Sequence, residues 1–125
     1  MEMALKTTND KIDYINAHGT STPVGDNAEL VAVKRVFGEN SPYISSTKSL
    51  TGHSLGAAGV QEAIYSILMM KNNFMCKSAH IENLDEEAKN MNVLINRKDD
   101  AFDVAMSNSF GFGGTNASLI FKKYN

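Results

Sequence analysis

The pattern of apolar and polar positions divides the chain into alternating strands and helices. Residues 1–9 (MEMALKTTN) read as the tail of a helix, and Ile12–Ala17 (IDYINA), short and rich in Ile and Tyr, predicts a strand. His18 to Gly25 form a loop punctuated by Pro23 and Gly25. Asp26 is placed to cap a helix, with Glu29 at capping-box spacing; Leu30, Val33 and Phe37 give that helix an apolar side and Gly38 ends it. Tyr43–Ser46 predicts a second strand, and TKSLTG a polar loop. A second helix should run from about residue 53 or 54 to Lys71. Its positions Val60, Ala63, Ile64, Ile67 and Leu68 recur at helical spacing. Leu55, Ala57, Ala58, Met69 and Met70 fill much of the remainder, which predicts burial on more than one side. Residues 74–91 form a connector with a short acidic helix (DEEAKN), and Val93–Ile95 a short strand. Phe102, Val104 and Met106 alternate, as do Ala117, Leu119 and Phe121 beyond a GFGG turn, so the chain should end in a hairpin. The order β-α-β-α-β-β predicts an α/β protein, a mixed sheet layered with helices and antiparallel at one end.

Composition narrows this little. The chain has 125 residues, 42% apolar and 21% charged, which suits one soluble domain spanning residues 1–125. A net charge of −2 gives no basic face for nucleic acid. The apolar stretch Ala63–Met70 is too short to cross a bilayer, and the N-terminus lacks the pattern of a secretory signal. The single cysteine, Cys76, excludes an internal disulfide and fits a reducing cytoplasm.

The glycines change the picture. Eight of the nine fall in three segments: Gly19 and Gly25; Gly52, Gly56 and Gly59; Gly111, Gly113 and Gly114. Three tight turns would use them equally well. Two of the segments, however, also carry a histidine beside a glycine, His18 and His53. Each segment follows a strand, and ligands of such sheets bind at the carboxyl ends of the strands. A lone histidine is more often structural, but two neutral imidazoles at one edge could aim N–H groups at a thioester carbonyl or an enolate. The helix start near His53 disfavours a protonated ring. Glu62, inside the apolar helix, needs exposure or a cationic partner, and Lys48 can supply one. Zinc is set aside: three histidines and one cysteine show no ligand spacing. Cys76 has no activating neighbour and His80 reads as a surface residue. GFGG joins two strands and lacks the helix a phosphate cradle needs.

His18–Asp26 (HGTSTPVGD) resembles the first histidine motif of β-ketoacyl-acyl carrier protein synthases. Ser46–Gly59 (STKSLTGHSLGAAG) resembles their lysine and second-histidine motif, and Asn108–Asn116 (NSFGFGGTN) their C-terminal glycine motif. The resemblance covers essentially the whole chain, and HSLGAAGVQEAIYS looks closest to the synthase I type of bacterial fatty acid synthesis. It implies a thiolase-like fold of two similar halves, this being the C-terminal one. It implies decarboxylative Claisen condensation of malonyl-acyl carrier protein with an acyl thioester. His18 and His53 match the pair that hydrogen-bonds the malonyl thioester oxygen. Lys48 matches the active-site lysine, and Glu62 the glutamate of its network. Thr20 and Thr22 match contacts to the pantetheine arm, and Phe110, Gly111 and Phe112 the acyl pocket and its gate. Asn16, Glu62, Ser107 and Asn108 match a monovalent-cation site; no other cofactor is implied. The implied partners are acyl carrier protein, an N-terminal half bearing the nucleophilic cysteine, and a second copy in a homodimer. Cys76 matches no nucleophile position, so the chain alone should lack condensing activity. A non-catalytic remnant or pairing domain, or half of a polyketide ketosynthase, would also fit. The intact His18, Lys48 and His53 argue against a chain-length factor.

Overall fold

The computed structural model describes residues 1–124. Its elements are α1 (Glu2–Leu5), β1 (Tyr14–Asn16), α2 (Pro23–Phe37), β2 (Tyr43–Ser45), α3 (Lys48–Thr51), α4 (Ala58–Lys71), β3 (Val104–Phe110) and β4 (Asn116–Lys122). Single 3-10 turns precede α4 (Leu55–Ala57) and lie in the connector (Glu86–Ala88). The strands form one sheet in the order β2-β1-β3-β4. β1 is parallel to both neighbours, with Asn16 level with Ser45 and with Ser107. β3 and β4 form the antiparallel hairpin.

All three residues of β1 are buried, as expected for the centre of a parallel sheet covered on both faces. Alternation assigns them to two cores. Ile15 and Met106 face α2 and pack with Ile12, Val33, Ile44 and Val104. Tyr14 and Ala105 face α4 and pack with Met69, Met70, Met75 and Phe102. The expected α/β layering is thus the architecture observed.

Four local expectations are corrected. α2 begins at Pro23, with Thr22 as its N-cap, because proline fits the first helical position. Asp26 therefore lies in the first turn and accepts the Ser21 N–H at 3.1 Å, rather than capping the helix. TKSLTG contains α3, closed by Gly52 at φ 76 with its N–H on the Lys48 carbonyl. Val93 makes only an isolated parallel bridge to Ile44, since Ile95 beyond it is exposed.

The largest correction concerns α4. Its buried residues are Ala58, Glu62, Ser66, Met69 and Met70. The stripe expected to face the core points outward: Val60 is 66% exposed, and Ile64, Ile67 and Leu68 are each near half exposed. The helix turns its small and polar side inward because the sheet end is polar there. Asn16 Nδ2 donates to the Glu62 carbonyl and to Ser66 Oγ, both at 3.4 Å. The burial sets the expected sensitivity of the chain. Met69→Ala should cost about 2–5 kcal/mol in urea unfolding, whereas Ile67→Ala should stay within about 0.5 kcal/mol. A larger cost for Ile67→Ala than for Met69→Ala would show the helix is packed the other way round.

Candidate functional site at the carboxyl ends of the parallel strands

The chain leaves β1, β2 and β3 at the same edge of the sheet, and the three glycine-bearing loops meet there. His18 lies two residues past β1, and His53 follows α3. Their ring centroids are 5.5 Å apart and the planes are edge to face at 89°. Phe110, the last residue of β3, places its ring 5.9 Å from that of His18. The His18 pKa is lowered to about 4, first by burial and then by the charges of Lys48 and His53. A second ring proton would also sit on Nδ1, which is buried without a hydrogen-bond partner among the described residues. His18 is therefore a neutral imidazole at pH 7.

Beneath the histidines lies a buried ion pair. Lys48 Nζ donates to Glu62 Oε1, with the two side chains 5% and 2% exposed. Burial raises the Glu62 pKa, and the Lys48 hydrogen bond and charge pull it back. Glu62 Oε2 is buried and unpartnered among the described residues. Asn16 continues the network: its Oδ1 accepts from Thr47 N–H at 3.3 Å and from Thr47 Oγ1 at 3.2 Å.

One buried acid was not singled out by sequence reasoning. Glu29, on α2, accepts the main-chain N–H of His18 on Oε1 at 3.0 Å and that of Gly19 on Oε2 at 2.9 Å. Oε1 also accepts from Asn108 Nδ2 at 3.1 Å. One carboxylate thus ties the His18 loop to α2 and to β3. Its signal in the sequence was the capping-box spacing, which was read as a helix start. Burial raises its pKa and the three donors oppose that rise. Gly19 completes the loop: it sits at φ 33, a Cβ there would lie 2.7 Å from Ser46 Cβ, and its carbonyl accepts from Ser46 Oγ at 2.8 Å.

The remaining expected site residues are distributed around this centre. Thr20 lines a cavity of about 790 Å³ together with Gly19, Glu29, Lys48 and His53. Thr22 is exposed, its hydroxyl 3.3 Å from that of Thr20. Gly111 donates to the Thr115 carbonyl at 2.8 Å, closing the turn that carries the fully exposed Phe112. Asn16 and Ser107 are level on neighbouring strands and share the face turned to α4, where Glu62 lies. The Asn108 side chain lies on the opposite face, between Glu29 and Ser118. Cys76 packs in the second core beside Tyr14 and Ser45. His80 is exposed on the connector. Among the described residues, no three His, Cys, Asp or Glu side chains are grouped to hold a metal ion, and no helix is long and apolar enough to cross a membrane.

This geometry has known counterparts. Over 126 aligned residues the chain is 60% identical to 3-oxoacyl-[acyl-carrier-protein] synthase 1 of Haemophilus influenzae, covering 100% of this chain and 31% of that protein. The chain thus spans about three tenths of the length of the curated relatives it matches. The structure of a β-ketoacyl synthase from Burkholderia phymatum superposes with a TM-score of 0.85 at 43% identity, over 91% of this chain and 28% of the other. A type II PKS ketosynthase solved with its acyl-carrier protein superposes with a TM-score of 0.91 at 28% identity, over 98% of this chain and 31% of the other. Residues 1–82 match the family described as beta-ketoacyl synthase, C-terminal domain. With its histidine loops, buried Lys48–Glu62 pair and glycine turn gathered at one sheet edge, the chain belongs to the β-ketoacyl synthase family.

Proposed function

We propose that this chain supplies the histidine, histidine and lysine part of the site of a 3-oxoacyl-acyl carrier protein synthase. The observation that carries this reading is the meeting of two imidazoles from different loops at one sheet edge, their ring centroids 5.5 Å apart, with His53 also lining the cavity. In the reaction, a cysteine thiolate from the remainder of the whole protein takes the acyl group from its carrier. His18 and His53 donate N–H groups to the thioester oxygen of malonyl-acyl carrier protein. The carboxylate leaves as CO2 and its bonding pair passes into the enolate. The enolate carbon attacks the acyl thioester, and the cysteine thiolate departs. Each aimed donor is worth about 3 kcal/mol of barrier, because negative charge grows on that oxygen only as the transition state forms. Lys48 opposes the rise that burial imposes on the Glu62 pKa, and its charge adds to burial in lowering that of His18.

In this reading Thr20 and Thr22 meet the pantetheine arm, and Phe110, Gly111 and Phe112 lie at the acyl side. The buried, unpaired Glu62 Oε2 beside Asn16 and Ser107 suits a monovalent cation. The Asn108 side chain, engaged elsewhere, would take no part. The outward apolar stripe of α4 suits burial against the remaining seven tenths of the whole protein, which would form a cytoplasmic homodimer. Similarity to a type II PKS ketosynthase supports acyl carrier protein as a partner and keeps polyketide extension as the second reading. The higher identity to synthase 1 favours fatty acid elongation.

Three outcomes check this. The chain alone should not condense acyl and malonyl thioesters, and mixing it with a separately produced remainder of the protein should restore turnover; folded material that never complements would support a non-catalytic remnant. In the whole protein, His18→Ala or His53→Ala should slow malonyl decarboxylation roughly a hundredfold to a thousandfold while acyl loading changes far less, and equal loss of both steps would contradict the donor role. NMR titration should place the His18 midpoint near 4, below the ordinary 6.5. Between those two values the unfolded chain binds more protons, so His18 makes the fold less stable as pH falls from 6.5 towards 4. A midpoint at the ordinary value would mean the ring is solvated.

A further inference from the structure

A buried carboxamide needs a partner at each end, and Asn108 is 0% exposed. Its Nδ2 donates to Glu29 Oε1 at 3.1 Å, and its Oδ1 accepts from Ser118 Oγ at 2.8 Å. Glu29 Oε1 is an acceptor, so the amide turns its N–H end to α2 and its oxygen away. A donor is then required on the far side, and the Ser118 hydroxyl supplies it.

The hairpin register puts the hydroxyl there. Ser118 stands directly opposite Asn108, and Ile120 directly opposite Met106. The two pairs are two residues apart, so they share the face turned to α2. Met106 and Ile120 belong to the apolar core on that face. One pair further along β3, an apolar residue at position 118 would simply extend that core; a half-buried hydroxyl stands there instead. Ser118 lies on the edge strand, two strands from β1. Its bond opens a chain of side chains that crosses this distance. Asn108 shares Glu29 Oε1 with the His18 N–H, which lies 3.0 Å from that oxygen, and Oε2 accepts the Gly19 N–H at 2.9 Å. The amide thus fixes the rotation of the carboxylate, and the carboxylate fixes the main chain that carries the His18 imidazole. Hydrogen bonds to an ionised carboxylate are the stronger kind, which suits them to hold a loop.

We propose that Ser118 is a positioning residue that holds the main chain of His18 in place through Asn108 and Glu29. Its effect on the reaction rests on the function proposed above; the chain of hydrogen bonds does not. The test compares two substitutions of nearly equal size. Ser118→Thr keeps the hydroxyl, and Ser118→Val puts a methyl group in its place. Proton–nitrogen NMR, with only this chain isotopically labelled in the protein completed with its remainder, reads the His18 and Gly19 amides. Malonyl decarboxylation and acyl loading are measured on the same material. In Ser118→Thr the amide protons and both rates should stay as in the unaltered protein. In Ser118→Val the His18 amide proton should move upfield, away from the position of a charge-assisted hydrogen bond. Decarboxylation should slow roughly tenfold, while acyl loading changes little. Ser118→Ala should shift the same resonance, and it stands in if Ser118→Val does not fold. Amide protons unmoved by the loss of the hydroxyl overturn the proposal, as does a Ser118→Thr chain as impaired as Ser118→Val. A shifted amide with an undiminished rate would support it and count instead against His18 as the thioester donor.

Discussion

Three neighbouring strands that run the same way impose the arrangement of everything functional here. Because β2, β1 and β3 are parallel and adjacent, their carboxyl ends are also adjacent, and each loop leaving them starts within reach of the others. The residues level at that end, Asn16, Ser45 and Ser107, are polar and buried. They give way within two or three positions to His18, Lys48 and Phe110. A sheet with those strands in another order or direction would carry the same loops to different edges.

Buried charge makes that edge rigid. The Lys48–Glu62 pair links α3 to α4, and Glu29 links α2 to the His18 loop and to β3. Removing one member of such a pair leaves the other as an uncompensated buried charge, which typically costs about 3–5 kcal/mol. The imidazoles are therefore held from behind by groups that cannot easily move apart. Donors already aimed are what an oxyanion requires, because they need little reorganisation as charge appears.

Much of this was legible in the residues, and the failures have physical causes. Helical and two-residue periods located the strands and both long helices, and the glycine-histidine pairs marked the loops that meet. The Glu62 carboxylate within an apolar helix pointed to its lysine. The inward face of α4 was misread because Val60, Ile64, Ile67 and Leu68 form a better apolar stripe than Glu62, Ser66, Met69 and Met70. Periodicity cannot tell a face packed on its own sheet from one left for another body. Glu29 was read as half of a helix cap because its true partners, the His18 and Gly19 amides and Asn108, are brought together only by tertiary structure.

The central claim is that the His18 and His53 imidazoles share one carbonyl oxygen. Isotope-edited infrared spectroscopy of a malonyl thioester bound to the completed protein reads that directly, because each hydrogen bond to the oxygen lowers the carbonyl stretching frequency. The account predicts a lowered band in the unaltered protein that moves part of the way back when either His18 or His53 is replaced by alanine. A carbonyl band at its solution frequency, or one indifferent to both replacements, would contradict it.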